Sequence, residues 1–180
     1  MRHIVVLTCI MTIFLQCCYS QQINSADSLS RAKAKDVSNF IADKTLNNNH
    51  LLFSIGDKWY LMVVEHRDYY EEFYFQVDTL LKCSKINPIK IDKPNNILEK
   101  AFDKDLYHKD FINLNSNFYK TGYEISEGNT TYFYFKDKDG NVYGESKLTT
   151  LIKPNPINNE VYNHLLMKLL QYITPNGSEK

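Results

Sequence analysis

The chain has 180 residues, of which 43% are hydrophobic and 13% aromatic, and its 21 basic and 21 acidic side chains balance to a formal net charge of zero. This length suits one domain with a sizeable core. Nucleic acid is disfavoured as a partner, because no excess of basic side chains is present to neutralise phosphates. The aromatic content is not that of a disordered chain.

The first twenty residues predict an export signal. Arg2 gives a positive start, and the Ile4–Leu15 run that follows is almost wholly apolar. That run is shorter than the roughly 20 residues that cross a bilayer, which favours a cleaved signal peptide over a spanning helix. Cleavage after Ser20 would release a secreted or periplasmic protein that begins at Gln21.

A lipid-anchored, envelope-associated protein is the alternative. Leu15 lies three places before Cys18, and this spacing resembles a bacterial lipoprotein signal. The resemblance implies that Cys18 becomes the first residue and carries lipid, which would hold the protein at a membrane. Cys17 departs from the pattern, since such signals usually have Gly, Ala or Ser at that place.

Cysteine usage predicts a fold without internal disulfides. Three of the four cysteines lie in the leader, so the mature chain keeps only Cys83. A single thiol cannot form an internal bridge, and the fold must rest on its core. We expect Cys83, which follows two leucines and a lysine, to pack as a small apolar residue rather than to act as a nucleophile.

Hydrophobic periodicity predicts a helix over Ser25–Leu46 and then three strands joined by short turns. The predicted strands are His50–Ile55, Lys58–His66 and Tyr69–Val77. The second strand is apolar on both faces, as in a covered central strand, whereas the third is expected to have one solvated face. The residues on that solvated face would include Glu72, Tyr74 and Gln76.

The second half of the chain repeats this pattern after an irregular middle. A short helix is predicted near Asn96–Phe102, with Asn95 or Asn96 as its cap. Three further strands are predicted at Phe118–Ile125, Thr130–Lys136 and Asn141–Thr149. Asp139 and Gly140 are typical of the hairpin turn between the last two.

The last element is the clearest helix. Over Asn159–Ile173, apolar residues recur at Val161, Leu165 and Leu169. This spacing of four gives an apolar stripe on one side of a helix. The tail from about Thr174 is polar and is expected to fray.

The order of helix, three strands, irregular middle, three strands and helix predicts an α+β fold. We expect a mostly antiparallel sheet of about five to six strands, with the N-terminal and C-terminal helices packed on one face. Residues 21–180 would form a single domain. Such layouts host many unrelated functions, so the fold alone implies no activity.

Asp105, His108 and Asp110 are the first candidates for a metal site, because they lie close together in the sequence. Carboxylates and a neutral imidazole bind Zn²⁺ or harder cations, and on a helix Asp105 and His108 would share a face. No known metal motif supplies a further ligand. A solvated polar turn is therefore the simpler interpretation, and no cofactor is predicted.

Two more polar groups are candidates for a functional site, and each also has a simpler structural interpretation. Asp137, Asp139 and Asn141 alternate as in a calcium loop, but the distal Glu of the twelve-residue pattern is missing and a hairpin turn explains them. The second bend gathers five titratable residues, which are Glu65, His66, Asp68, Glu71 and Glu72. Paired carboxylates could serve acid–base chemistry if burial separated their pKa values, although an exposed bend is the simpler interpretation.

Tyrosines are the most suggestive candidates for a binding surface. Five are expected on solvated strand faces, and these are Tyr70, Tyr74, Tyr132, Tyr134 and Tyr143. Rigid amphipathic rings supply contact area at low entropic cost, which suits a protein, peptide or glycan partner. The alternative is that the rings pair across strands and only stabilise the sheet. Asn129 and Asn176 begin glycosylation acceptor patterns, whose use depends on the host.

These observations favour a small exported, non-catalytic binding or interaction module of unknown ligand. The sequence contains neither the Gly-x-Ser-x-Gly motif of a hydrolase nor a glycine-rich phosphate loop. A small hydrolase or metal-dependent enzyme outside the cytoplasm is the alternative from another class. It would use the Asp105 group or the acidic bend.

Overall fold

The computed structural model describes residues 29–77, 83–85, 88–107, 112–113, 130–149 and 157–174. By its internal contacts the chain divides into two units, Met1–Ala32 and Lys33–Lys180, and the packing described below is that of the second unit. Several predictions of the sequence lie outside the described residues: the leader with Cys18, the strand Phe118–Ile125, the Cys83 side chain, His108, Asp110, Asn129 and Asn176.

The helices and strands follow the predicted order closely. The helices are α1 (29–40), α2 (Ala42–Thr45), α3 (Asn96–Ala101) and α4 (Asn159–Ile173), with a 3₁₀ turn at Lys104–Leu106. The strands are β1 (His50–Ile55), β2 (Trp59–Glu65), β3 (Tyr69–Val77), β4 (Cys83–Lys85), β5 (Ile89–Asp92), β6 (Ile112–Asn113), β7 (Thr130–Lys136) and β8 (Val142–Thr149). The predicted N-terminal helix is interrupted at Ile41, whose φ of −125° and ψ of 35° are not helical.

The described strands form one sheet of eight, in the order β4-β3-β2-β1-β7-β8-β6, with β5 also paired to β3. All the ladders are antiparallel except the short pairing of β6 with β8. The long strand β3 pairs with β5 along its first half and with β4 at its end. The predicted α+β class with a mostly antiparallel sheet is confirmed.

Turn residues take the backbone conformations that the sequence predicts. Gly56 and Asp57, between β1 and β2, have φ values of 63° and 50°, and Gly140, between β7 and β8, has a φ of 89°. Glycine adopts positive φ without the steric cost that a Cβ brings, which is why such residues close tight hairpins. These turns fix β1–β2 and β7–β8 as antiparallel neighbours.

One face of the sheet packs against α4, and we call it the α4 face. Leu51 and Phe53 of β1 lie on it together with Leu165 and Leu169 of α4, and all four are fully buried. The helix begins after Asn158, whose Oδ1 accepts hydrogen bonds from the N–H groups of Glu160 and Val161. The apolar stripe read from the sequence is therefore the side of α4 that faces the sheet.

The opposite face, which we call the α1 face, packs against residues 33–41. Ala34, Val37 and Ile41 are buried there against strand residues that include Leu52 and Met62. Successive residues of β1 alternate between the two clusters, as the pleat requires. The N-terminal and C-terminal helices thus lie on opposite faces of the sheet, where the sequence analysis expected both on one face.

β3 also differs from its prediction, because helices cover both faces of the sheet. Glu72 and Tyr74 were expected on a solvated face, but that face is covered by α4, and they are 0% and 4% exposed. Their burial makes β3 a strand covered on both sides. Among the described residues, no helix has both the length and the apolar character needed to cross a bilayer.

Candidate functional site

The five predicted tyrosines do not form one surface. Tyr70 and Tyr74 are buried on the α4 face, Tyr132 and Tyr134 are buried on the α1 face, and Tyr143 is half-buried. The expectation of solvated rings is wrong for the four buried ones, because helices cover both sides of the sheet. Whether any of the five contributes to binding stays a prediction.

The predicted calcium loop is a hairpin turn whose carboxylate serves the backbone. Asp137 Oδ1 accepts hydrogen bonds from the N–H groups of Asp139 and Asn141, at 3.0 and 2.8 Å. Its Oδ2 accepts from the Asn141 amide at 2.9 Å and from the Tyr143 hydroxyl at 3.2 Å. These bonds, led by the one from the Asn141 side chain, lower the pKa of Asp137. The turn itself therefore accounts for these residues.

Of the three residues of the first predicted metal site, the structure describes only Asp105. Asp105 is exposed in the 3₁₀ turn, where its N–H donates to Asp103 Oδ1 at 3.1 Å. Its two predicted companions, His108 and Asp110, lie outside the described residues. Within the described part of the chain, no group of three or more His, Cys, Asp or Glu side chains could hold a metal ion.

In the acidic bend, Glu65, His66 and Glu71 are paired and Asp68 is exposed, so the residues form no free cluster of carboxylates. Glu65 accepts from Lys93 Nζ at 3.0 Å and from the Asn49 amide at 2.8 Å. His66 Nε2 lies 3.1 Å from Glu71 Oε2. Only the fifth member, Glu72, points into the protein, toward α4.

Glu72 is the centre of a buried polar cluster on the α4 face. Its carboxylate accepts a hydrogen bond from the Tyr74 hydroxyl at 2.8 Å. Lys168 Nζ of α4 lies 3.4 Å from each carboxylate oxygen. The Glu72 side chain is 1% exposed and that of Lys168 is 32% exposed, so a shielded carboxylate meets a cation that reaches solvent.

His164 lies one helical turn before Lys168, on the same side of α4. Burial and the Lys168 charge lower the pKa of His164, while the Glu72 charge raises it. Its Nε2 is buried and has no hydrogen-bond partner among the described residues. Burial and the Glu72 charge also raise the pKa of the Tyr74 hydroxyl, which stays protonated and donates. The cluster therefore combines one anion, one cation and a neutral imidazole.

Aromatic rings extend this cluster toward the end of α4. The Tyr172 ring lies 4.9 Å from that of Tyr74 and 6.0 Å from that of Trp59, measured between centroids. Trp59 and Tyr172 are only half-buried, and Lys58 Nζ lies 5.3 Å from the Trp59 ring centroid. We call Trp59, Tyr74, Tyr172 and the Glu72–Lys168 pair the aromatic flank.

Helix geometry explains why one side of α4 carries this set. His164, Lys168 and Tyr172 are spaced by four residues, and each step of four turns the helix by only about 40°. The same spacing is visible in the sequence, beside the apolar stripe. Sequence reasoning missed it because the pairing partner, Glu72, was assigned to a solvated strand face.

A second buried histidine lies on the α1 face. His50 is 3% exposed, its Nδ1 lies 3.3 Å from the Asn48 carbonyl oxygen, and its ring meets the edge of Tyr134 at 5.9 Å. Burial lowers the pKa of His50 to about 4. The Tyr134 hydroxyl in turn pairs with the Ser38 hydroxyl of α1. This arrangement suits a structural contact between helix and sheet.

No known protein family, curated protein or solved structure matches this chain. Its function must therefore be inferred from the geometry of the described residues.

Proposed function

We propose that this chain is a small exported, non-catalytic binding module that contacts its ligand through the aromatic flank. The observation that carries the proposal is the half-buried pair of Trp59 and Tyr172, whose ring centroids are 6.0 Å apart. Such rings present an amphipathic surface at low entropic cost, and aromatic residues are enriched in contact surfaces.

The neighbours of these rings support the proposal because they fix the flank in place. Tyr74, 4% exposed, packs against Tyr172 and is itself held by its hydrogen bond to Glu72. Lys168 is held near the same carboxylate. A surface ordered before binding loses less conformational freedom when the ligand arrives, which favours affinity.

A pull-down with matched variants tests the proposal. The purified protein is immobilised, and material from the extracytoplasmic fraction of its host is passed over the wild type, Tyr172→Ala and Leu170→Ala. Leu170 is 37% exposed and lies two residues before Tyr172, about 200° around the helix. We expect retention that is lost with Tyr172→Ala and kept with Leu170→Ala. Equal retention by all three, or none above a protein of similar charge, would contradict the proposal.

Export is part of the same proposal and has its own test. The positive start and the short apolar run support a leader that is removed. Mass spectrometry of the mature protein should find a chain that begins at Gln21. A lipid-modified Cys18 would instead support the envelope-associated alternative, in which Cys18→Ser releases the protein from the membrane fraction. An intact Met1 would contradict both.

An acid–base enzyme is the second candidate, because Glu72 is a buried carboxylate whose charge reaches His164. Against it, Glu72 Oε2 already accepts from the Tyr74 hydroxyl, and the Lys168 ammonium lies 3.4 Å from both carboxylate oxygens. Hydrolysis of a panel of nitrophenyl esters and glycosides that disappears in Glu72→Gln would favour the enzyme. A metal assay on protein purified without chelator addresses the metal-dependent version.

A further inference from the structure

We propose that strand β5 pairs with the β5 of a second copy of this chain, as antiparallel neighbours related by a two-fold axis at Ile91. This inference goes beyond the proposed function and does not involve the aromatic flank. Among the described residues, β5 forms a ladder only with β3, so its other side is an edge of the sheet. An edge strand carries backbone N–H and C=O groups with which a further strand can pair.

The backbone direction shows which residues of β5 point to the outer edge. The N–H of Lys93, directly after β5, donates to the Asp68 carbonyl at 3.3 Å and so points toward β3. Because backbone groups alternate between the two sides of a strand, those of Ile91 also point toward β3, whereas those of Lys90 and Asp92 point outward. The side chains of Lys90 and Asp92 are 63% and 86% exposed, so a second strand can reach both residues.

Charge selects one register for two β5 strands. Pairing centred on Ile91 places Lys90 of each copy directly opposite the partner's Asp92, so opposite charges face each other on both sides of the axis. Pairing centred on Lys90 would place two lysines opposite each other, and pairing centred on Asp92 would do the same with two aspartates. Like charges directly opposite each other are destabilising, which leaves the register centred on Ile91.

The prolines on either side of β5 support the same register. Pro88 precedes the strand and Pro94 follows it after Lys93. Centring on Lys90 would place Pro88 opposite the partner's Asp92, and centring on Asp92 would place Pro94 opposite the partner's Lys90. Proline has no N–H to donate, so both of those registers lose backbone hydrogen bonds that the register centred on Ile91 keeps.

The side chains of β5 suit this pairing on both of its faces. Ile91 packs against the α4-face cluster and would meet the partner's Ile91 in a close, non-hydrogen-bonded pair. Ile89, 48% exposed, lies on the same side of the strand and would be diagonal to the partner's Ile91. On the other side, Lys90 Nζ lies 3.7 Å from its own Asp92 and 4.6 Å from the Tyr69 ring centroid. Exposed ion pairs of this kind contribute little, so exchanging Asp92 for the partner's Asp92 costs little.

The oligomeric state of the purified protein tests the proposal. The interface joins one short strand from each copy, so the dimer should be weak and its share should rise with protein concentration. Sedimentation velocity from about 20 µM to about 1 mM should give a mass that rises from that of one chain toward that of two.

Charge-swap variants then assign the association to β5. Lys90→Glu and Asp92→Lys each place like charges across the axis, and each should weaken association about tenfold. An equimolar mixture of the two should recover the wild-type association within about threefold, because the two substituted positions then face each other with opposite charge. The double variant Lys90→Glu/Asp92→Lys should recover it as well. Lys138→Glu, at an exposed lysine of the β7–β8 turn, is the matched control and should stay within about twofold of wild type.

Two outcomes would overturn the pairing of β5. The first is the mass of one chain at every concentration, which would mean that the lysine and the prolines protect this edge from other strands. The second is a wild-type dimer that both single variants retain, or that their mixture fails to restore, since another surface would then join the copies. Circular dichroism checks that each variant is folded, and the wild-type measurement needs no variant.

Discussion

The two faces of the sheet are equally apolar, but they are covered in different ways. On the α4 face, nine buried strand residues meet nine buried residues from α3, α4 and the segments beside them. On the α1 face, nine buried strand residues meet three, Ala34, Val37 and Ile41, within the described part of the chain. Among the described residues, the α4 face is therefore a core built from both layers, whereas the helical side contributes fewer buried apolar residues to the α1 face.

The two faces also bury different titratable groups. On the α4 face the buried carboxylate of Glu72 has a cation and a hydroxyl as partners. On the α1 face His50 is buried with no hydrogen bond to its Nε2 among the described residues. We infer that the described packing on the α4 face, which also carries the aromatic flank, contributes more stability than that on the α1 face, and that His50 makes the α1 face sensitive to pH.

The largest expected effect on the free energy of unfolding comes from removing a buried side chain on the α4 face. Leu165→Ala removes a fully buried side chain between α4 and the sheet, and should lower the free energy of unfolding by about 4 kcal/mol. Val37→Ala, at 1% exposure on the α1 face, removes less volume and should cost about 2 kcal/mol. Urea denaturation measures both. A larger loss of stability for Val37→Ala than for Leu165→Ala would contradict the greater contribution of the α4 face.

The next largest effect on the free energy of unfolding comes from the Glu72–Lys168 pair, because breaking a buried pair leaves a charge without its partner. Lys168→Met should cost about 3 kcal/mol at neutral pH, since among the described residues the 1%-exposed carboxylate of Glu72 then keeps only Tyr74 as a donor. Adding Glu72→Gln keeps an acceptor for Tyr74 and removes the buried charge. The double variant should therefore be more stable than Lys168→Met alone.

A double-mutant cycle separates the pair from its surroundings. If Glu72→Gln and Lys168→Met act independently, their effects on the free energy of unfolding will add, and the pair contributes no coupling. Such additivity would also remove the argument that Glu72 holds Lys168 in place beside the aromatic flank.

The α1 face should respond to pH through His50. Its folded pKa of about 4 lies below the 6.5 of an unperturbed histidine, so the unfolded chain binds the proton at a higher pH than the folded chain. The stability that this residue contributes is present above pH 6.5 and is lost as the pH falls toward 4. The full difference corresponds to about 3 kcal/mol.

Thermal unfolding of wild type and His50→Phe across that range measures this contribution. The aromatic ring of Phe keeps an edge contact with Tyr134 but cannot titrate, so the variant should lose less stability than wild type on acidification. His66→Gln serves as the control, because His66 is 18% exposed at the second bend. Parallel pH profiles for wild type and His50→Phe would show that His50 is not the sensitive group.

The sequence was sufficient for elements whose pattern is local. β1, β3 and β7 have the predicted bounds, and α4 begins and ends where its apolar spacing begins and ends. Each of these carries its own signal, which is a run rich in apolar and aromatic residues for the strands and a spacing of four after a cap residue for the helix. Short elements such as β5 and the 3₁₀ turn carry no such signal and were not predicted.

The candidate site could not be predicted because it depends on which element covers which face. Alternation along β3 separates Glu72 and Tyr74 from Phe73, but it does not say that a helix will cover both sets. The apolar stripe of α4 likewise predicts a buried side without naming the strand it meets. The contact between Tyr172 and Trp59 joins residues far apart in the sequence, and only the topology brings them together.

The smallest effect tests how the N-terminus of α4 is held on its face. Asn158→Ala removes the side-chain acceptor for the Glu160 N–H, at 2.9 Å, and should cost about 1 kcal/mol. Lys100→Ala breaks the 2.6 Å ion pair with Glu160, but those side chains are 40% and 57% exposed, so the loss should be about 0.3 kcal/mol. Urea denaturation of both variants ranks them. A larger loss in the free energy of unfolding for Lys100→Ala would mean that the ion pair between α3 and α4, rather than the cap, fixes the start of the helix. The α4 face would then depend on surface charge more than its apolar packing suggests.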